Sequence, residues 1–110
     1  MKSEMLQNIE NDFKEEFNRI LDNEKEANDQ DFLKGYRSNY SIWLIGKKLT
    51  YEIILNLLEN ALDTDGGRII MIKFYHEIAN RLSNIDNIDT VQGVLSATGY
   101  ISYAMDEIGE

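Results

Sequence analysis

Cysteine is missing from this chain, so disulfides, thiolate metal sites and thiol nucleophiles are excluded. Proline is missing as well; with only seven glycines, that disfavours a turn-rich all-β sandwich and suits long helices. Histidine occurs once, at His76, and no Glu-x-x-His or His-x-x-x-His spacing accompanies it. The helical di-metal and zinc patterns are therefore absent. Neither a Gly-x-Ser-x-Gly elbow nor a phosphate loop is present. Long apolar runs are lacking too. Lys47 and Lys48 cut the best candidate for a membrane span, which needs about 20 apolar residues. The opening MKSEMLQNIENDF has acids and amides where a signal peptide needs an apolar core. The expectation is a soluble, cytoplasmic protein with no membrane partner.

What is present is acid, unevenly placed. The net charge is −9 over 110 residues. Residues 1–31 hold ten acids against four bases, residues 32–62 two against four, residues 63–83 three of each, and residues 84–110 five acids and no base. Two acidic ends thus flank a mildly basic middle. An acidic surface repels nucleic acid and attracts basic proteins. The bases Lys34, Arg37, Lys47 and Lys48 interleave with Tyr36, Tyr40, Trp43 and Tyr51, a pattern that can hold single strands by stacking. Four bases on so acidic a chain make a poor footprint. Pairing with the acidic first helix is the expected role, and no direct contact with nucleic acid is expected.

Hydrophobic periodicity sets the fold. Met5, Leu6, Ile9, Phe13, Phe17, Ile20 and Leu21 form one face of a helix from about Ser3 to Glu26. Ser3 is suited to its N-cap, with Glu4 at the positive end of the helix dipole. Residues 22–31 carry no large apolar side chain and are predicted to contain a solvated connection, with Asp29 or Asp31 capping the next helix. Their acids fail the calcium-loop pattern, because Ala27 and Leu33 stand where Gly and Glu are needed.

The longest rhythm runs through Phe32, Tyr36, Tyr40, Trp43, Lys47, Tyr51, Ile54, Leu58 and Leu62, in helical steps of three and four. It predicts a long central helix that the other segments cover, either running on with a kink near Gly46 or divided into two helices at a joint over residues 46–50, where Thr50 could cap a new start. The alternative of a short strand at Tyr40–Ile45 rests on β-favouring Tyr, Trp and Ile. Asp63–Gly67 reads as a turn, and the polar set Lys73, His76, Glu77, Asn80 and Arg81 marks a helix from Arg68 to Leu82. Asn84–Asp89 is a turn with two candidate N-caps. A last helix follows from about Asp89 to Glu107, in which Gly93 and Gly99 mark close approach to a neighbour.

The fold class is therefore all-α: a single domain over residues 1–110, a compact antiparallel bundle of four to five helices. The predicted core includes Phe13, Phe17, Tyr40, Trp43, Ile54, Leu58, Ile78 and Leu95. No cofactor or metal ligand set, and no catalytic residue, emerges. In size, charge and helical character the chain looks like toxin-immunity, anti-restriction and anti-CRISPR proteins. The leading reading is a small acidic, non-catalytic binding module that inhibits a basic, nucleic-acid-acting partner protein. Its candidate contacts are Asp12, Glu15, Glu16, Asp22, Glu24 and Glu26 at one end and Asp86, Asp89, Asp106 and Glu107 at the other. The alternative is a helical homo-oligomeric adaptor, a homodimer through the central or last helix.

Overall fold

The computed structural model describes residues 3–108, and among them are four helices and no strand. Helix α1 spans Glu4–Lys34, α2 Asn39–Glu59, α3 Gly67–Leu82 and α4 Ile88–Asp106. The all-α bundle predicted from periodicity is what the chain forms, with extents of 50 × 27 × 20 Å.

The Ser3 hydroxyl accepts the Leu6 N–H at 3.2 Å and starts α1, as the sequence predicts. The helix ends where Gly35 takes φ 79°, a conformation only glycine adopts at little cost. Its inner seam is Leu6, Glu10, Phe13, Phe17, Ile20, Glu24, Ala27 and Asp31, whose steps alternate between four and three. That is the 3.5-residue period of one helix lying along another. The last three seam members are acidic or small, so the apolar rhythm fades after Leu21 although the helix does not stop. The solvated connection expected within residues 22–31 is thus corrected: all of it is helical. At about 1.5 Å per residue, the 31 residues of α1 reach roughly 46 Å, close to the full length of the molecule.

The long helix expected from Phe32 to Leu62 is also corrected. The chain turns at residues 35–38, and the Ser38 hydroxyl restarts it by accepting the Ser41 N–H at 3.2 Å. From Asn39 onwards α2 runs unbroken through Gly46, and Tyr40–Ile45 is helix rather than strand. Thr50 lies inside α2, fully buried, its hydroxyl donating to the Gly46 carbonyl at 2.8 Å.

Helix α2 is the hub, since α1, α3 and α4 all pack on it. The pairs Glu24–Lys48 and Asp31–Ser41 show that α1 runs antiparallel to α2. By contrast α4 runs parallel to α2: Thr90 reaches the Ile42 carbonyl, and Val94 approaches Gly46 one turn further along both helices. Between α2 and α4 the backbones meet at paired glycines, Gly46 and Gly93. Helix α3 closes the remaining side against α2 and α4. Of the predicted core, Phe13, Ile54, Leu58 and Ile78 are buried, and Phe17 and Trp43 pack against it partly buried. Tyr40 and Leu95 are exposed instead. Tyr40 sits beside the turn, stacked on Trp43 at 5.9 Å, and Leu95 lies on the outer side of α4.

Candidate functional site

Three surfaces carry chemistry, and each follows from how a helix is seated. The first is the outer side of α1. With the seam facing α2, the opposite line is Asn8, Asp12, Glu15, Arg19, Asp22, Glu26 and Asp29, and every one of these is exposed. Five carboxylates and one guanidinium are therefore spread on one ridge. Asp12 and Asp29 are separated by about 25 Å at the helical rise. Asp29 belongs to this ridge although it is not among the candidate contacts; its place became visible only once residues 22–31 proved helical.

The other candidate contacts scatter. Glu16 is half-buried beside the seam and pairs with Arg19. Glu24 is in the seam, 2.9 Å from Lys48, so it braces α1 against α2 rather than facing a partner. That ion pair is the internal use of the basic middle that the sequence suggests. Lys47 lies over the Trp43 ring at 4.6 Å, a second internal use. Asp86 and Asp89 lie at the start of α4, and Asp106 and Glu107 at its far end, about 25 Å away. They do not make one patch. Asn87 caps α4, accepting the Asp89 N–H at 2.8 Å, which leaves Asp89 in the first turn of the helix.

The second surface is the α1–α2 turn. Phe32 is 86% exposed, Leu33 78% and Tyr36 62%, a cluster of large apolar side chains at one corner. Beneath them the Asp31 carboxylate is buried. It accepts the Ser41 hydroxyl at 2.5 Å and the Ser38 N–H at 3.0 Å. These two bonds, the Ser41 bond foremost, hold its carboxyl below the ordinary value near 3.8, with Arg37 adding to the effect. Asp31 thus serves the turn predicted to need a capping acid, while Ser38 is the cap itself.

The third surface is the outer side of α4. Between Asp89 and Asp106 the helix has no charged residue. Gln92, Leu95, Ser96, Gly99, Tyr100 and Tyr103 all face solvent there. Gly99 has nothing within 4 Å of where a Cβ would stand, so the close approach expected at Gly99 is not found within the chain, whereas that at Gly93 is. The gap between two acids is a signal the sequence holds.

Where α3 begins, a cleft of about 630 Å³ lies against the end of α4, lined among others by Thr64, Gly67, Arg68, Tyr75 and Asp106. No side chain caps Gly66, so the first amides of α3 and the Arg68 guanidinium give the cleft a weak pull on anions, opposed by Asp106. His76 is exposed on α3. Among the described residues, no group of three acidic or histidine side chains could hold a metal ion, and no helix is long and apolar enough to cross a membrane.

No protein-family model matches the chain, and comparisons with curated proteins and with solved structures give no match either.

Proposed function

We propose that the protein is a small acidic, non-catalytic binding module of the cytoplasm that captures and inhibits a basic protein, of the kind that acts on nucleic acid. The observation that supports this reading is the ridge of Asp12, Glu15, Asp22, Glu26 and Asp29 on one exposed line of a continuous helix. A rigid row of carboxylates steers a basic groove towards it and raises the association rate. Because these side chains are exposed, they add little to stability, so their charges are available for recognition. Pull-down from the native host identifies the partner. Reversing Glu15, Asp22 and Glu26 to Lys is then expected to slow association steeply and flatten its salt dependence, with the melting temperature nearly unchanged. An unchanged rate and salt dependence would reject the proposal.

A second reading is a homo-oligomeric adaptor, favoured by the uncharged outer side of α4 with Tyr100 and Tyr103 exposed. Its mark is a dimer insensitive to salt that Tyr103→Glu abolishes.

A further inference from the structure

The turn between α1 and α2 is built so that it can open into helix. The apolar rhythm Phe32, Tyr36, Tyr40, Trp43 keeps helical steps straight across it. No proline interrupts it, and Gly35 is the one described residue of positive φ. Only residues 35–38 lie between the two helices. Straightening that short turn would join α1 and α2 into a single helix of 56 residues, Glu4–Glu59.

Helix α1 is also a separable arm. Along its length its backbone packs chiefly on α2 and comes only marginally close to α3 and α4. It is held by the seam, by Glu24 on Lys48, and by Asp31 on Ser41. If the turn opens, these contacts are lost within the chain, and a second copy offers the identical α2 to restore them. Both polar pairs, 24 with 48 and 31 with 41, are centred on position 36. Two straightened chains exchanging α1 would therefore be related by a twofold axis at the level of Tyr36.

We propose that this protein forms an arm-exchanged dimer, in which α1 of each copy packs on α2 of the other and residues 35–38 become helical. The occupant of the α2 face is a second copy of this chain, because the seam and its charge pairing fit that face already. This dimer uses the α1–α2 turn, so it stands apart from both the acidic ridge and the outer side of α4. Short hinges favour such exchange.

Two substitutions push the hinge in opposite directions. Ala at position 35 resists the left-handed conformation of the closed turn and favours helix. Pro at position 39 suits the first turn of α2, where Ser38 is already extended at ψ 154°, but breaks a continuous helix. The chain has no cysteine, so Glu24→Cys with Lys48→Cys, joined by a short bis-maleimide, reports whether α1 lies on its own α2 or on another's.

In that background, light scattering should show Gly35→Ala dimerising roughly a hundredfold or more tightly than the native hinge, with the links between chains. Asn39→Pro should remain monomeric at the same concentration, linked within the chain. A Gly35→Ala chain that is monomeric at every concentration, or a dimer whose links all lie within chains, would overturn the proposal. Should Gly35→Ala fail to fold, the native hinge is refolded at high protein concentration and cross-linked. Links between chains support exchange, and links only within chains overturn it.

Discussion

Gly46 on α2 and Gly93 on α4 mark one backbone-to-backbone crossing, the space of each missing side chain being filled by main chain of the opposite helix. A Cβ on Gly46 would stand 2.1 Å from the Thr90 carbonyl oxygen, and one on Gly93 would stand 2.0 Å from the Trp43 carbonyl oxygen. The obstacle in both cases is backbone, which cannot swing aside. Gly93→Ala is therefore expected to cost about 3 kcal/mol or more by forcing α2 and α4 apart. Chemical denaturation of the two proteins measures it, and a loss under about 0.5 kcal/mol would mean the helices do not cross so closely.

Gly99, six residues further along the same helix, is the internal control. Nothing stands within 4 Å of its absent Cβ, and the position is exposed in mid-helix. Gly99→Ala should stabilise the chain by about 0.5–1 kcal/mol through helix propensity alone. If the same change weakens self-association, the outer side of α4 is an interface between copies.

Leu58 and Leu95 separate core from surface. Both fall on apolar stripes in the sequence, yet Leu58 is fully buried and Leu95 is 53% exposed. Leu58→Ala should cost about 2–5 kcal/mol, and Leu95→Ala no more than about 0.5 kcal/mol. Paired denaturation curves at one protein concentration check both values.

The bundle was legible because three of its helices announce themselves through apolar period, and the starts and ends of α3 and α4 fall within about a residue of expectation. The boundary between α1 and α2 was not. Its signals are inverted: α1 continues through a stretch whose seam members are Glu24, Ala27 and Asp31, and it ends amid Phe32, Leu33 and Tyr36. Burial of an acid depends on a partner elsewhere in the chain, here Lys48 and the hydroxyl of Ser41, and periodicity carries no record of such pairs. The acidic candidates divide for the same reason. Asp12, Glu15, Asp22 and Glu26 share the outer ridge, whereas Glu24, two residues from both Asp22 and Glu26, is turned about 200° to the inner side of the same helix. The misplacement of Leu95 and Tyr40 has another cause: a one-sided helix and a helix with apolar residues on both sides look alike until the neighbours are placed.

Asp31 should give the turn an acid sensitivity. Its carboxyl is held below 3.8 by the Ser41 hydroxyl and the Ser38 N–H, so folding favours its charged form. The stabilisation this provides is fully present above the unfolded value and is lost as pH falls through the depressed folded one. Relative to Asp31→Asn, the native chain should therefore lose its advantage below about pH 4. Melting temperatures of the two proteins at descending pH should converge. A gap that stays constant down to strong acid would show that the carboxylate charge does not hold the turn.

At the alkaline end the corresponding group is Tyr51. It is buried between α1 and α2 with its ring edge-on to Phe13 at 5.8 Å. Burial, and then the nearby Glu16 carboxylate, push its phenol up from 10.0 to about 12. The folded chain thus keeps this proton where the unfolded chain releases it. Below pH 10 both states hold it and no stability depends on it. As pH rises from about 10 to about 12 the unfolded state gains by ionising, and the fold weakens. Tyr51→Phe removes the ionising group but keeps the ring against Phe13, so its stability should fall less over that interval. It should also delete the highest step in the phenolate absorbance titration of the native protein. If the step lost in Tyr51→Phe lies near pH 10 and the alkaline stability profile is unchanged, the phenol is not shielded from water by α1, and the packing of α1 on α2 at Phe13 is looser than the 5.8 Å contact implies.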